Sequence, residues 1–215
     1  MYEFMNSFDI QIRSYMAKDI EQLIDIQREC FPPPYPEEQL WSPEQLLSQI
    51  KIFPEGAICA ETEGKLIGSA TALITEWKPG DPPHSWAEVA DNGFIRTHNP
   101  TGNSLYGIDI AVRPSWRRRG VARMLYEARL ELMKKLKLRC LLVGGRMSGY
   151  HRYQQSLTPL AYLQKVISGE VADPTLTPQL RAGFKPVEII ENYIPDEESA
   201  NYAVLLLLPN PEIGA

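Results

Sequence analysis

Leu105-Tyr106-Gly107-Ile108-Asp109-Ile110-Ala111-Val112-Arg113-Pro114 leads through Ser115-Trp116 into Arg117-Arg118-Arg119-Gly120-Val121-Ala122, and from there the chain reads as one helix to Leu136. The apolar run is a strand that Pro114 stops. Val121, Leu125, Ala128, Leu132 and Leu136 then recur at three- and four-residue spacing, with Arg129, Glu131, Lys134 and Lys135 set mostly between them, which is the pattern of an amphipathic helix. A helix start carries unpaired backbone N–H groups and the positive end of the dipole. Gly120 permits a positive φ or close approach of a ligand, and three arginines add positive charge at the same point. Strand, basic glycine turn and helix together form an anion cradle of the kind that binds phosphate.

The rest of the composition makes this cradle a local site. The chain has 215 residues, a formal net charge of -5 and 44% hydrophobic residues, which suits one folded domain. An acidic balance gives no support to nucleic-acid binding, so the arginine cluster is a patch and not part of a basic face. Cys30, Cys59 and Cys140 show no C-x-x-C spacing and read as reduced core residues. Met1–Asp9 lacks the basic start and apolar block of a leader, and no apolar run reaches the roughly 18 residues that span a bilayer. The expectation is a soluble cytoplasmic protein with no membrane partner.

Outward from the cradle, Ile10–Tyr15 alternates as a strand and Asp19–Phe31 carries a helical face. Pro32-Pro33-Pro34 stops that helix, and Ser42-Pro43-Glu44-Gln45 starts a second one that ends before Phe53-Pro54. Ala57–Glu61 and Leu66–Thr75 form a hairpin around Glu63-Gly64, followed by a loop-rich stretch from Gly80 to Gly102. Beyond the central helix, Arg139–Val143 is a strand that Gly144-Gly145 ends. A polar, tyrosine-rich insert over 146–178 contains a helix at Leu160–Ile167, and Val187–Tyr193 with Tyr202–Leu208 closes the chain as a hairpin. No repeat or linker interrupts this order, so 1–215 reads as a single domain.

Arg117 to Ala122 spells R-x-x-G-x-A, and directly after a strand this resembles the Q/R-x-x-G-x-G/A motif of the GNAT superfamily of N-acetyltransferases. The order of elements is similar over nearly the whole chain. The resemblance implies an α/β (α+β) fold with a central, mixed, mostly antiparallel sheet of about seven strands, flanked by helices and splayed between strands four and five. It implies acetyl-CoA as co-substrate, with its pyrophosphate on the amides of Arg118, Arg119, Gly120, Val121, Ala122 and Arg123 beside Arg117, and its pantetheine along Ile110, Ala111 and Val112. Transfer would be a direct attack of a primary amine on the thioester, the Ile110 N–H stabilising the oxyanion. A homodimer is compatible with this reading. Gly144-Gly145-Arg146, Gly149-Tyr150, Asp173-Pro174-x-Leu176-Thr177 and Gly183-Phe184 also resemble the GNAT domains that in some proteins precede a carbon-nitrogen hydrolase domain.

A lysine-like amine has a pKa of about 10.4, so attack near neutrality needs a base or a water relay. Asp109 is the nearest carboxylate to the expected thioester, and an acid between Ile108 and Ile110 on a central strand is unusual; the sequence leaves open a structural hydrogen bond instead. Many GNAT enzymes protonate the leaving thiolate with a tyrosine four residues before the glycine of a terminal Gly-Phe pair. Here that pair is Gly183-Phe184 and the position is Gln179. Tyr150 and Tyr153, with His151 beside them, are the catalytic candidates that remain in the insert. Three scattered histidines without ligand spacing predict no metal. Acyl-CoA binding without transfer, or transfer of another acyl group, is the alternative, and the acceptor is not legible.

Overall fold

The computed structural model describes residues 9–213 apart from Pro34 and Pro36. The leader reading of Met1–Asp9 therefore falls almost wholly outside the described residues. In chain order the elements are β1 (Gln11–Ser14), α1 (Ile20–Cys30), α2 (Pro43–Ile52), β2 (Ala57–Thr62), β3 (Lys65–Thr75) and α3 (Trp86–Ala90). They continue as β4 (Ser104–Val112), α4 (Val121–Lys135), β5 (Cys140–Arg146), α5 (Pro159–Ser168), α6 (Leu176–Arg181), β6 (Lys185–Ile190) and β7 (Ala203–Pro209). The strands form a mixed seven-stranded sheet in the order β1-β2-β3-β4-β5-β7-β6, as expected of the fold. The chain packs as two compact units, one holding the residues through Thr71 with Asp109–Leu132, the other Ala72–Ile108 with the residues from Met133 onward.

In the first unit β1, β2 and β3 pair antiparallel, Gln11 facing Glu61 and Ala57 facing Thr71. Glu63 and Gly64 both take positive φ, the backbone of a two-residue hairpin turn whose twist matches its strands. Ser42 caps α2, its Oγ accepting from the Gln45 N–H at 3.3 Å while Gln45 Oε1 accepts from the Ser42 N–H at 2.7 Å. The core beneath α4 gathers Ile58, Ala60, Ile67, Ala70 and Val112 against Val121 and Leu125. On α4 the buried positions are Val121, Leu125, Arg129 and Met133, an uninterrupted i+4 row, whereas Leu136 is 38% exposed. The expected apolar stripe thus turns toward Arg129 and Met133 in the helix's second half.

In the second unit β4 runs parallel to β5 from Ser104–Cys140 to Gly107–Val143, and β5 and β6 both pair antiparallel with β7. Past that parallel ladder β4 continues to Val112 and β5 to Arg146. Gly144-Gly145 does not end the strand, as the sequence suggested, but stays in register with Leu205 and Val204. These glycines admit neighbours: a Cβ at Gly144 would overlap the phenol of Tyr193, and one at Gly145 would overlap Gln179 Oε1 and Leu176. Two helices escaped the sequence reading. α3 begins with a Ser85–Glu88 capping box inside the loop-rich stretch from Gly80 to Gly102, and α6 starts at the end of the insert and runs past it to Arg181. The insert is fastened by buried Asp173, whose Oδ1 accepts from the Thr175 and Leu176 N–H groups and whose Oδ2 accepts from the Gly149 N–H and the Tyr162 hydroxyl, all within 2.9 Å.

Gly144→Ala should therefore lower stability by about 1–3 kcal/mol through overpacking against buried Tyr193. Urea unfolding reads this as a lower midpoint at unchanged slope, and an unchanged midpoint would mean that the phenol yields freely.

Candidate functional site

The cradle belongs to the first unit. After Val112 the chain makes a short 3-10 turn at Pro114–Trp116, and the Arg113 side chain anchors it from below. Arg113 is buried, its Nε donating to the Leu66 carbonyl at 2.7 Å and its Nη1 pairing with Glu29 of α1. Arg118 then takes φ +61° and Gly120 φ +83°. A positive φ on an arginine is uncommon and costs about 1 kcal/mol or more, so the backbone of the turn is imposed and not relaxed. The Met124 N–H donates to the Gly120 carbonyl at 3.0 Å, which sets the first turn of α4. Helix geometry aims the N–H groups of Val121, Ala122 and Arg123 out of that end. Arg117, Arg118, Arg119 and Gly120 are exposed there, and no heavy atom lies within 4 Å of a Cβ built on Gly120.

Arg117 turns back so that its Nε donates to the Val112 carbonyl at 3.2 Å, an acceptor it shares with the thiol of Cys30. The Arg119 guanidinium lies 5.1 Å over the Trp116 ring, and Arg123 pairs with Glu127 at 2.7 Å along the helix. Ile110 and Val112 present their side chains to the core under α4, and Ala111 is buried.

Asp109 sits half-buried at the point where β4 enters this unit. Its carboxylate accepts from Gln27 Nε2 of α1 at 3.3 Å, from the Trp41 indole and from the N–H of Ile110. Burial pushes its pKa up to about 6, while the positive charge of Arg129 and those three hydrogen bonds hold it from going higher. Arg129 was not among the residues expected at the site. It is 2% exposed, and its Nη2 donates both to the Thr71 carbonyl at 2.6 Å and to the carbonyl of Asp109. Beside it the Tyr15 hydroxyl donates to Gln49 Oε1 at 2.5 Å and lies 3.0 Å from Thr71 Oγ1. The signal that could have found Arg129 is its place in the Val121–Leu125–Met133 row.

Tyr150 and Tyr153 belong to the second unit, where the rings of both pack on Tyr162. Tyr150 is buried, its hydroxyl donating to the Leu157 carbonyl at 2.9 Å, and burial raises its pKa. Its ring is 5.3 Å from that of Tyr162, and the ring of half-buried Tyr153 is 5.4 Å from the same residue. His151 Nδ1 is 2.8 Å from the Glu198 carbonyl oxygen, and His98 Nδ1 accepts from the Ile74 N–H at 3.1 Å. Gln179, in the place of the usual acid, is buried against Gly145. The sequence also missed a chain of hydroxyls in this unit: His84 Nε2 is 2.9 Å from the Tyr106 hydroxyl, which is 3.3 Å from that of Tyr193. The three cysteines are free thiols, and among the described residues no group of three or more His, Cys, Asp or Glu side chains could hold a metal.

Against known proteins, the sequence model of the acetyltransferase (GNAT) family matches residues 20–152. An uncharacterized N-acetyltransferase of Bacillus subtilis (strain 168), YkwB, is 46% identical over 197 residues, covering 92% of this chain and 87% of that protein. A probable hydrolase of the same organism, YhcX, is 40% identical over 196 residues, 91% of this chain but 37% of the longer protein. Among solved structures, the GNAT-like decarboxylase GphF in complex with isobutyryl-CoA superposes with a TM-score of 0.78 at 21% identity, over 93% of this chain and 99% of that one. No helix among the described residues is long and apolar enough to cross a membrane.

A carboxylate placed in the open space at Gly120 should repel a phosphate and leave the core untouched. On the expectation that this turn holds the pyrophosphate of CoA, Gly120→Glu should abolish CoA binding in calorimetry while the protein still unfolds cooperatively, about 1–2 kcal/mol less stable because of the left-handed φ there; undiminished affinity would make the turn purely structural.

Proposed function

The chain belongs to the acetyltransferase (GNAT) family, and on that premise we propose that it transfers the acetyl group of acetyl-CoA to a primary amine by direct attack of the amine on the thioester. The observation that carries this reading is the exposed turn Arg117–Gly120 opening onto the first turn of α4, with Asp109 eight residues upstream of Arg117 on β4. The open space at Gly120 fits a pyrophosphate, and the N–H groups of Val121, Ala122 and Arg123 are its donors. The pantetheine would follow Ile110–Val112, where Arg117 already occupies the Val112 carbonyl and so supports the strand end beside it.

In this reading Asp109 is the general base. A carboxylate with a pKa near 6 is ionised at neutrality yet a better proton acceptor than an ordinary aspartate, because burial has made its charge costly. Asp109 takes the proton of the ammonium, the free amine adds to the thioester carbonyl as its π pair moves to oxygen, and the adduct collapses by breaking the C–S bond; the second N–H proton passes to the departing thiolate through Tyr150, Tyr153 or water. The Ile110 N–H, which faces the Asp109 carboxylate, is the oxyanion donor; neutralising that carboxylate by proton transfer loosens its hold on the same N–H. Acyl-CoA binding without transfer is the second reading, and buried Gln179 in place of a tyrosine favours it.

Acetyl-CoA at millimolar concentration should raise the melting temperature and NAD should not, since no G-x-G-x-x-G follows a strand. No shift with CoA or acetyl-CoA would remove the basis of the assignment. Turnover of acetyl-CoA against polyamines, amino acids, aminoglycosides and peptide N-termini then separates transfer from mere binding.

With an acceptor in hand, kcat should rise with pH along a limb centred near 6 and level off above it, because the base must be ionised to act. Asp109→Asn should remove that limb and lower kcat by about a hundredfold or more at little change in acetyl-CoA affinity. Tyr150→Phe and Tyr153→Phe test the acid in the same way. Losses below roughly threefold in all three variants would leave positioning and the backbone donor to account for the rate.

A further inference from the structure

On the reading of Asp109 as the base, we propose that Arg129 is its positioning residue: the guanidinium fixes the β4 backbone at Asp109 and supplies the buried positive charge that keeps the carboxylate able to accept a proton. A single nitrogen, Nη2, donates to the carbonyls of both Thr71 and Asp109, so the carbon chain bearing the carboxylate hangs from a backbone that Arg129 holds. The guanidinium is poorly used for a purely structural group. Nε is buried without a hydrogen-bond partner among the described residues, although an arginine carries five N–H donors and each one left unmet in the interior is costly. Apolar residues of similar volume often replace a whole buried ion pair without loss of stability, whereas removing one partner leaves the other charge uncompensated. What an apolar side chain could not give this site is the charge.

The groups facing Asp109 come from four directions. Gln27 and Cys30 lie on α1, Trp41 precedes α2, Tyr15 follows β1, and Arg129 reaches in from α4; the Ile110 N–H comes from β4 itself. Burial holds the Tyr15 hydroxyl neutral, well above its ordinary range, and burial likewise raises Cys30. Around Arg129 stand Tyr126, Asp109 and Tyr15. Of these groups Arg129 alone is a permanent cation, and Asp109 alone changes charge near neutrality.

The decisive experiment reads Asp109 directly, by NMR titration of protein labelled with 13C at the aspartate carboxyl and 15N at arginine, in the wild type and in Arg129→Met and Arg129→Lys. The wild-type midpoint should fall near 6. Removing the charge in Arg129→Met should raise it by about one unit or more, the usual effect of an opposite charge within about 4–6 Å. Arg129→Lys, which restores the charge without the bridging hydrogen bonds, should recover most of that shift. The acidic limb of kcat should move with the carboxyl midpoint, giving about a threefold loss at pH 6.5 for a one-unit rise, at unchanged KM for acetyl-CoA. Should Arg129→Met not fold, the wild type decides alone, because the Arg129 Nε resonance must then titrate with the midpoint of Asp109. An Asp109 midpoint unmoved in Arg129→Met, or an Arg129 resonance flat through the Asp109 titration, overturns the proposal. A carboxyl midpoint that moves while the kinetic limb stays put instead overturns the reading of Asp109 as base and leaves the coupling standing.

Discussion

One buried guanidinium sets the geometry of the first unit. Arg129 follows Val121 and Leu125 at four-residue steps on the inner face of α4, and its Nη2 ends on the carbonyls of Thr71 and Asp109. Hydrogen bonds to a charged donor are directional and strong, so they fix the rotation of α4 about its axis more tightly than the apolar contacts of Val121 and Leu125 can alone. A helix whose rotation is fixed has a fixed first turn. The direction in which Val121, Ala122 and Arg123 present their N–H groups follows from a contact two turns further along the same helix.

The electrostatics obey the same constraint. Burial opposes the charge of Asp109 and of Arg129 alike, and each relieves part of the other's penalty. The outcome for the carboxyl is intermediate, a pKa near 6 and neither an ordinary aspartate nor a permanently protonated one. The other partners of that carboxyl are neutral, Gln27, Trp41 and the Ile110 N–H, and the nearby Tyr15 hydroxyl is kept protonated by burial. Asp109 is therefore free to change charge without a second titration beside it answering the change.

What was legible in the sequence is what depends on neighbours along the chain. The strand through Val112, the turn at Gly120, the capping box of Ser42 and the hairpin at Glu63-Gly64 are each decided within a few residues, and each is found where its residues place it. Arg129 falls among the polar residues of the helix because periodicity sorts residues by type, and an arginine whose partners are the carbonyls of Thr71 and Asp109, remote in sequence, is invisible to it. Gly144-Gly145 reads as a stop for the same reason: glycine marks either a turn or a close approach, and only Tyr193 and Gln179, remote in sequence, decide for the second. The α3 capping box at Ser85-Glu88 is local too, but the prolines and glycines around it carry the signature of a loop.

The departure at Gln179 weighs less on the proposed chemistry than a departure at Asp109 would. An amide packed against Gly145 cannot donate a proton at any useful pH, so tyrosine's ordinary role is absent from that position. The two proton transfers of the reaction are unequal, however. An amine of pKa about 10.4 must lose its proton more than three units above neutrality before it can attack, whereas a thiolate of pKa about 8.5 leaves only some one and a half units above it. At about 1.4 kcal/mol per unit, the first transfer stands roughly 2–3 kcal/mol further from neutrality than the second. On the proposed reading of Asp109 as base, the transfer that needs more assistance is the one that keeps a dedicated group.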